Sequence, residues 1–159
     1  MADYFTEVIV MPYIPKDLLH EQDLEMLALF GFQSEQVKTD EGEFVYLYAY
    51  EYSGTAFRTI EKGDEVEEEE LSEEDLTAFF RRVIDASNGR LKYLYLHAAC
   101  TCSKMRPDGF GGWVSFLTKD EEQFMSTFDA VEKFKACENE KAKGGNNGKE
   151  HEGVGDVPA

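Results

Sequence analysis

Three groups of side chains have types and spacings that could do chemistry. His97, Cys100 and Cys102 form a His-x-x-Cys-x-Cys run, and an imidazole with two thiolates is a suitable zinc donor set. A fourth ligand would have to come from Cys137, Asp108 or His20, and the spacing is not that of a zinc-finger knuckle. Small cysteines at a strand end also serve simply as core. A thiolate–imidazole pair for nucleophilic catalysis meets a geometric obstacle, because strand alternation sets His97 and Cys100 on opposite faces if the strand continues that far.

The second group is aromatic. Phe44, Tyr46, Tyr48, Tyr50 and Tyr52 are each two residues apart, so in a strand all five rings project from one face while Val45, Leu47 and Ala49 project from the other. Tyr93, Tyr95 and His97 repeat the pattern against Leu94, Leu96 and Ala98. Aromatic side chains on an uncovered sheet face give rigid contact area at low entropic cost, which makes a docking platform. Tyr is also a good strand former, so the rows could equally be covered by the 54–70 segment or by a second copy of the chain. The third group is acidic: Glu61 to Asp75 holds ten carboxylates and one Lys, including the run Glu67, Glu68, Glu69 and Glu70. Presented on a structured surface, such an array would compete with phosphate for a basic groove; as a mobile loop before a helix it would need no function.

The whole chain shares that sign. Across 159 residues, 33 acidic side chains against 16 basic ones give a formal charge of -17, which opposes binding to DNA, RNA or anionic membranes, since those draw affinity from Lys and Arg. Stacking of RNA bases on the tyrosines is disfavoured for the same reason. A basic protein is the partner such a field attracts, mainly through the association rate. The glycines at 109, 111 and 112 match neither phosphate-binding pattern, and a turn beside Lys104 and Arg106 accounts for them. No stretch approaches a membrane span, Asp3 and Glu7 stand where a secretory signal carries positive charge, and three cysteines are no disulfide framework. A cytoplasmic protein with reduced thiols is expected.

The elements that must position these groups follow from periodicity. Alternation predicts a strand from Tyr4 to about Met11, ended by Pro12 and Pro15, which open a helix running through Leu19, Leu24, Leu27 and Phe30 to a stop at Gly31. A weak strand, 32–39, turns at Asp40-Glu41-Gly42 into the strong tyrosine strand, 43–52. Residues 54–70 read as a loop or ragged edge hairpin. Ser72 caps the clearest helix, with Asp75 at its third position, Leu71 and Leu76 as a staple, and Leu76, Phe79, Phe80, Val83 and Ile84 as its buried stripe. Asn88-Gly89 supplies the left-handed stop. Strands are expected over 91–99 and 113–118, with a turn-rich loop between them. A final helix begins at Thr118 and Glu121, buries Phe124, Phe128 and Val131, and ends near Lys135. One α+β domain, 1–137, is predicted, with a disordered tail over 138–159. The order β, α, β, β, α, β, β, α suggests a largely antiparallel sheet with helices on one face, a ferredoxin-like variant with an extra hairpin and a terminal helix.

Two blocks resemble a known group: the opening Met1 to Thr6 (MADYFT), and Thr101 to Arg106 (TCSKMR) followed by Phe110 to Val114 (FGGWV). They are similar to a family of small, uncharacterised acidic proteins of bacteriophages and other mobile elements. The family brings no catalytic residues to transfer. The resemblance implies a setting in which small acidic accessory proteins inhibit host defences that act on nucleic acid. The expected function is therefore that of a non-enzymatic acidic binding protein that inhibits a basic, nucleic-acid-handling host protein, with Tyr46, Tyr48, Tyr50, Tyr93, Tyr95 and Glu67 to Glu70 as its contact residues. The alternative is a small metal- or thiol-dependent enzyme centred on His97, Cys100 and Cys102.

Overall fold

The computed structural model of the chain describes residues 3–104 and 110–144. The chain divides into two units, one ending at Thr127 and the other beginning at Phe128. In order, the elements are β1 (Tyr4–Pro15), a 3-10 turn (Lys16–Leu18), α1 (Glu21–Leu29), β2 (Phe32–Thr39), β3 (Gly42–Ala49), β4 (Ala56–Lys62), β5 (Glu65–Leu71), α2 (Glu73–Ala86), β6 (Leu94–Cys102), β7 (Gly111–Leu117), β8 (Glu122–Ser126) and α3 (Thr127–Gly144). Among the described residues no helix is long and apolar enough to cross a membrane.

Six strands form one sheet in the order β2-β3-β1-β6-β7-β8, and every neighbouring pair is antiparallel. The run β1-α1-β2-β3-α2-β6 with the spatial order β2-β3-β1-β6 is a ferredoxin-like core. The β7–β8 hairpin widens this sheet beyond β6, and the separate β4–β5 hairpin is inserted between β3 and α2.

One face of the sheet is aliphatic. Val8, Val10 and Ile14 of β1, Val45 and Leu47 of β3, and Leu94, Leu96 and Ala98 of β6 are all buried, packed with Leu27 and Phe30 near α1 and with Leu76, Phe79, Phe80, Val83 and Ile84 of α2. The helical stripe is the expected one. The Asp75 carboxylate accepts from the Ser72 backbone N–H at 2.8 Å, and Asn88 (φ 52°) and Gly89 (φ 87°) close α2 in left-handed conformations. Gly31, at φ 93°, follows α1; a Cβ there would stand 2.2 Å from the Glu51 carbonyl oxygen, so only glycine lets the two segments meet.

Several boundaries differ from expectation, each for a local reason. Pro12 does not end β1, which continues to Pro15. The β1–β3 register shifts between Val10 and Ile14, and at such an irregularity a residue without an N–H costs no ladder bond. The first helix is a 3-10 turn followed by α1, whose start is set by Asp23 accepting from the His20 N–H at 2.9 Å. β6 begins and ends three residues later than expected, running through Cys102. Thr118 and Glu121 form a turn, with Thr118 N–H donating to the Glu121 carbonyl at 2.9 Å. That turn folds β8 back on β7, so Phe124 lies in a strand and not in the last helix. α3 extends to Gly144, so 138–144, expected to be disordered, are helical. The remainder of that tail, 145–159, and the turn residues at 105–109, Asp108 among them, lie outside the described residues.

Surface carboxylates fasten the helix ends. Asp17 accepts from both terminal nitrogens of Arg90 at 2.9 and 2.6 Å, and the guanidinium lowers its pKa. Bonds from the Ser72 N–H and hydroxyl lower that of Asp75. A carboxyl with a depressed folded-state pKa stabilises above its unfolded pKa, and the stabilisation is lost as pH falls through the folded value. The melting-temperature gap between the native chain and Asp75→Ala should be constant above the ordinary aspartate titration range and narrow as pH falls below it. A gap unchanged at pH 2 would contradict this assignment.

Candidate functional site: an aromatic sheet face

On the other face of the sheet the strand register aligns side chains across all six strands. Gln33, Tyr48, Ile9, His97, Val114 and Met125 are successive cross-strand partners from β2 to β8. A parallel row joins Met11, Tyr95, Phe116 and Gln123, with Glu35 opposite Tyr46 on β2 and β3. No helix of the Met1–Thr127 unit covers this face: α1 and α2 contribute to the core on its reverse. Tyr48, Ile9, Met11, Tyr95 and Phe116 are half-buried by one another, while Tyr50, His97, Val114 and Met125 are exposed.

The rings form two clusters. Tyr13, Tyr46, Tyr48 and Tyr50 make a chain with centroid separations of 5.4, 5.2 and 5.5 Å, and Tyr93 stacks on Phe116 at 5.0 Å. Such separations are those of favourable ring pairs. Burial first, then the neighbouring phenols and Glu35, push the Tyr46 hydroxyl above its ordinary pKa. Of the strand positions on this face, none is Lys or Arg, whereas Glu7 and Glu35 lie among the rings. Tyr46, Tyr48, Tyr50, Tyr93 and Tyr95 are therefore all on one surface.

Tyr52 is not part of it. β3 ends at Ala49 and the chain bends at Tyr50 and Glu51, which breaks the alternation that five evenly spaced rings suggested. Tyr52 instead turns to the helical side, 5.8 Å from the ring centroids of both Phe32 and Trp113. Its hydroxyl donates to Glu73 Oε1 at 3.1 Å, and burial and that carboxylate drive its pKa upward.

The acidic segment is a structured hairpin rather than a loop, and it stands apart from the rings. Ala56 and Leu71 at its base are buried in the core on the helical side of the sheet. Glu67 and Glu69 pair with Lys62 and Arg58 across the two strands, while Glu68 and Glu70 lie on the reverse of the hairpin opposite Thr59 and Phe57. The four consecutive glutamates are thus split, two neutralised by cations and two exposed to solvent. Residues expected to act as one contact surface belong to two.

The structure also separates the expected metal donors. β6 is continuous through Cys102, so His97 emerges on the open face and Cys100 and Cys102 on the opposite one. Cys102 is buried, and the Thr6 hydroxyl approaches Cys100 Sγ at 3.9 Å. Among the described residues no three His, Cys, Asp or Glu side chains are disposed to hold a metal ion. The zinc and thiolate–imidazole readings of His97, Cys100 and Cys102 lose their geometry with that alternation.

Ile9, Met11, Val114, Phe116 and Met125 complete the open face and were not singled out by residue type. For Ile9, Met11, Val114 and Phe116 the signal was the double-sided apolarity of β1 and β7, which also fits a fully covered strand. Comparison with family models, curated proteins and solved structures returns no match for this chain.

Proposed function

We propose that this chain is a non-enzymatic binding protein whose aromatic sheet face receives a basic protein partner. The observation that carries the reading is the six-stranded sheet with an aromatic face that no helix of its unit covers. Large contiguous apolar surface of this kind marks interaction sites, and Tyr is among the residues that dominate contact energy. The net charge of -17 selects for a basic partner, and carboxylates rather than cations among the rings argue against a nucleic acid seated there. Proteins that handle nucleic acid carry basic grooves, and the resemblance of the two blocks at 1–6 and 101–114 to acidic phage and mobile-element proteins makes a host defence enzyme the expected target. Inhibition would then follow from occupying the groove in place of phosphate.

Capture on immobilised full-length chain tests this directly. A basic protein should be retained from host lysate at low salt and released as ionic strength rises past about 0.5 M, where screening shortens to a few ångströms. Retention of the same protein by a variant carrying Ile9→Lys and Val114→Lys, at equal level, would overturn the reading.

A further inference from the structure

Resting on that reading, the geometry points to a more specific assignment: the hollow beside β2, β3 and β1 on the open face is a receptor for one arginine side chain of the partner. The hollow has a volume of about 230 Å³, and Glu7, Ile9, Glu35, Tyr46, Tyr48 and Tyr50 line it. That is smaller than the roughly 300–1,000 Å³ of small-molecule pockets, and suits a single side chain.

Its lining of phenol rings and carboxylates has the chemistry of a site for a planar cation. Tyr46 lies 5.2 Å from Tyr48, and Tyr48 meets Tyr50 at 5.5 Å with their planes 75° apart. The hollow therefore offers both ring faces and ring edges. Glu35 stands opposite Tyr46 in the β2–β3 pairing. Glu7 precedes by two residues Ile9, the partner of Tyr48. The carboxylates thus flank the phenol row from both neighbouring strands, and no Lys, Arg or His among the described residues forms an ion pair with either. A guanidinium is planar and weakly hydrated; it stacks on a ring and forks toward a carboxylate at once, which an ammonium cannot do. A second copy of this chain is the poorer occupant, because it would bring Glu7 and Glu35 toward the same acidic groups on its own face.

Its four isoleucines make the chain its own reporter. Ile9 lies in the hollow, Ile14 and Ile84 are buried in the core, and Ile60 belongs to the acidic hairpin. The probes are tetraarginine, tetralysine and tetracitrulline peptides with blocked ends, titrated into full-length chain carrying 13C-labelled isoleucine methyls. Tetraarginine should move the Ile9 methyl saturably and bind at least about threefold tighter than tetralysine, and tetracitrulline should move nothing. Tyr48→Ala should weaken the Ile9 response about tenfold with the Ile14 and Ile84 methyls unshifted, whereas Glu68→Lys with Glu70→Lys should change it less than about twofold. The assignment is overturned if Ile60 moves in place of Ile9, if citrulline or lysine peptides match arginine, or if Ile9 shifts on simple dilution, the sign of a second copy. Should a captured basic partner lose binding in Tyr48→Ala while no arginine peptide moves Ile9, the docking face stands and the arginine receptor falls.

Discussion

Truncating Phe80 to alanine should lower the unfolding free energy by about 3–5 kcal/mol, the cost of removing a fully buried phenyl ring and leaving a cavity. Phe80 is 0 % exposed. Its ring centroid lies 5.2 Å from that of Phe79 and 6.4 Å from that of Phe32, so it joins α2 to the strand that follows α1. With domain stabilities of roughly 5–15 kcal/mol, such a loss is about a fifth or more of the total. Phe57, on the outer surface of the acidic hairpin and 52 % exposed, makes the control: Phe57→Ala should change stability by no more than about 0.5 kcal/mol. Urea unfolding followed by circular dichroism separates the two, and equal losses would contradict the packing described.

Loss of partner affinity should be largest for Tyr46→Ala combined with Tyr48→Ala. Interface hot spots centred on Tyr contribute about 2 kcal/mol or more, which corresponds to roughly thirtyfold in Kd. Both rings sit mid-strand on β3, between β2 and β1, and pack on each other rather than on the helices. The fold should survive their removal, at a cost of up to about 1 kcal/mol each from lost strand propensity. Charge reversal on the hairpin, Glu68→Lys with Glu70→Lys, should act through long-range attraction alone. It should slow association by less than about tenfold at low salt and leave dissociation unchanged. Surface-resonance kinetics with the captured partner distinguish these outcomes, and a dissociation rate raised by the hairpin variant would assign the contact to the hairpin.

Much of this architecture was legible in the sequence because local signals and packing agree. Ser72 with Asp75, the α2 stripe from Leu76 to Ile84, Asn88-Gly89 and the Asp40-Glu41-Gly42 turn each combine a propensity with a burial pattern. Failures arose where a period continues past the element that generates it. Tyr52 keeps the two-residue spacing of Tyr46 and Tyr48 but follows a bend, so the same spacing delivers its ring to the helical side. Phe124 is four residues before Phe128 and reads as helical, yet it pairs with Ser115 in a hairpin. Pro12 reads as a strand terminator, and only the tertiary register places it at an irregularity where no bond is forfeited. Of the candidate site, the tyrosines were visible by composition. Their pooling with Ile9, His97 and Phe116 was not, because that depends on which strands become neighbours. The division between ring face and acidic hairpin was hidden for the same reason, since Ala56 and Leu71 disclose their burial only when the helices are in place.

Hydroxyl-radical footprinting of the chain, free and bound to its captured partner, tests the docking face most directly. Tyr48, Tyr50 and Met125 should be oxidised in the free chain and protected in the complex, while Phe57 and Val66 on the hairpin remain equally reactive in both. Protection of Phe57 and Val66 with undiminished oxidation of Tyr48 and Tyr50 would show that the partner binds the acidic hairpin and that the aromatic sheet face is not its seat.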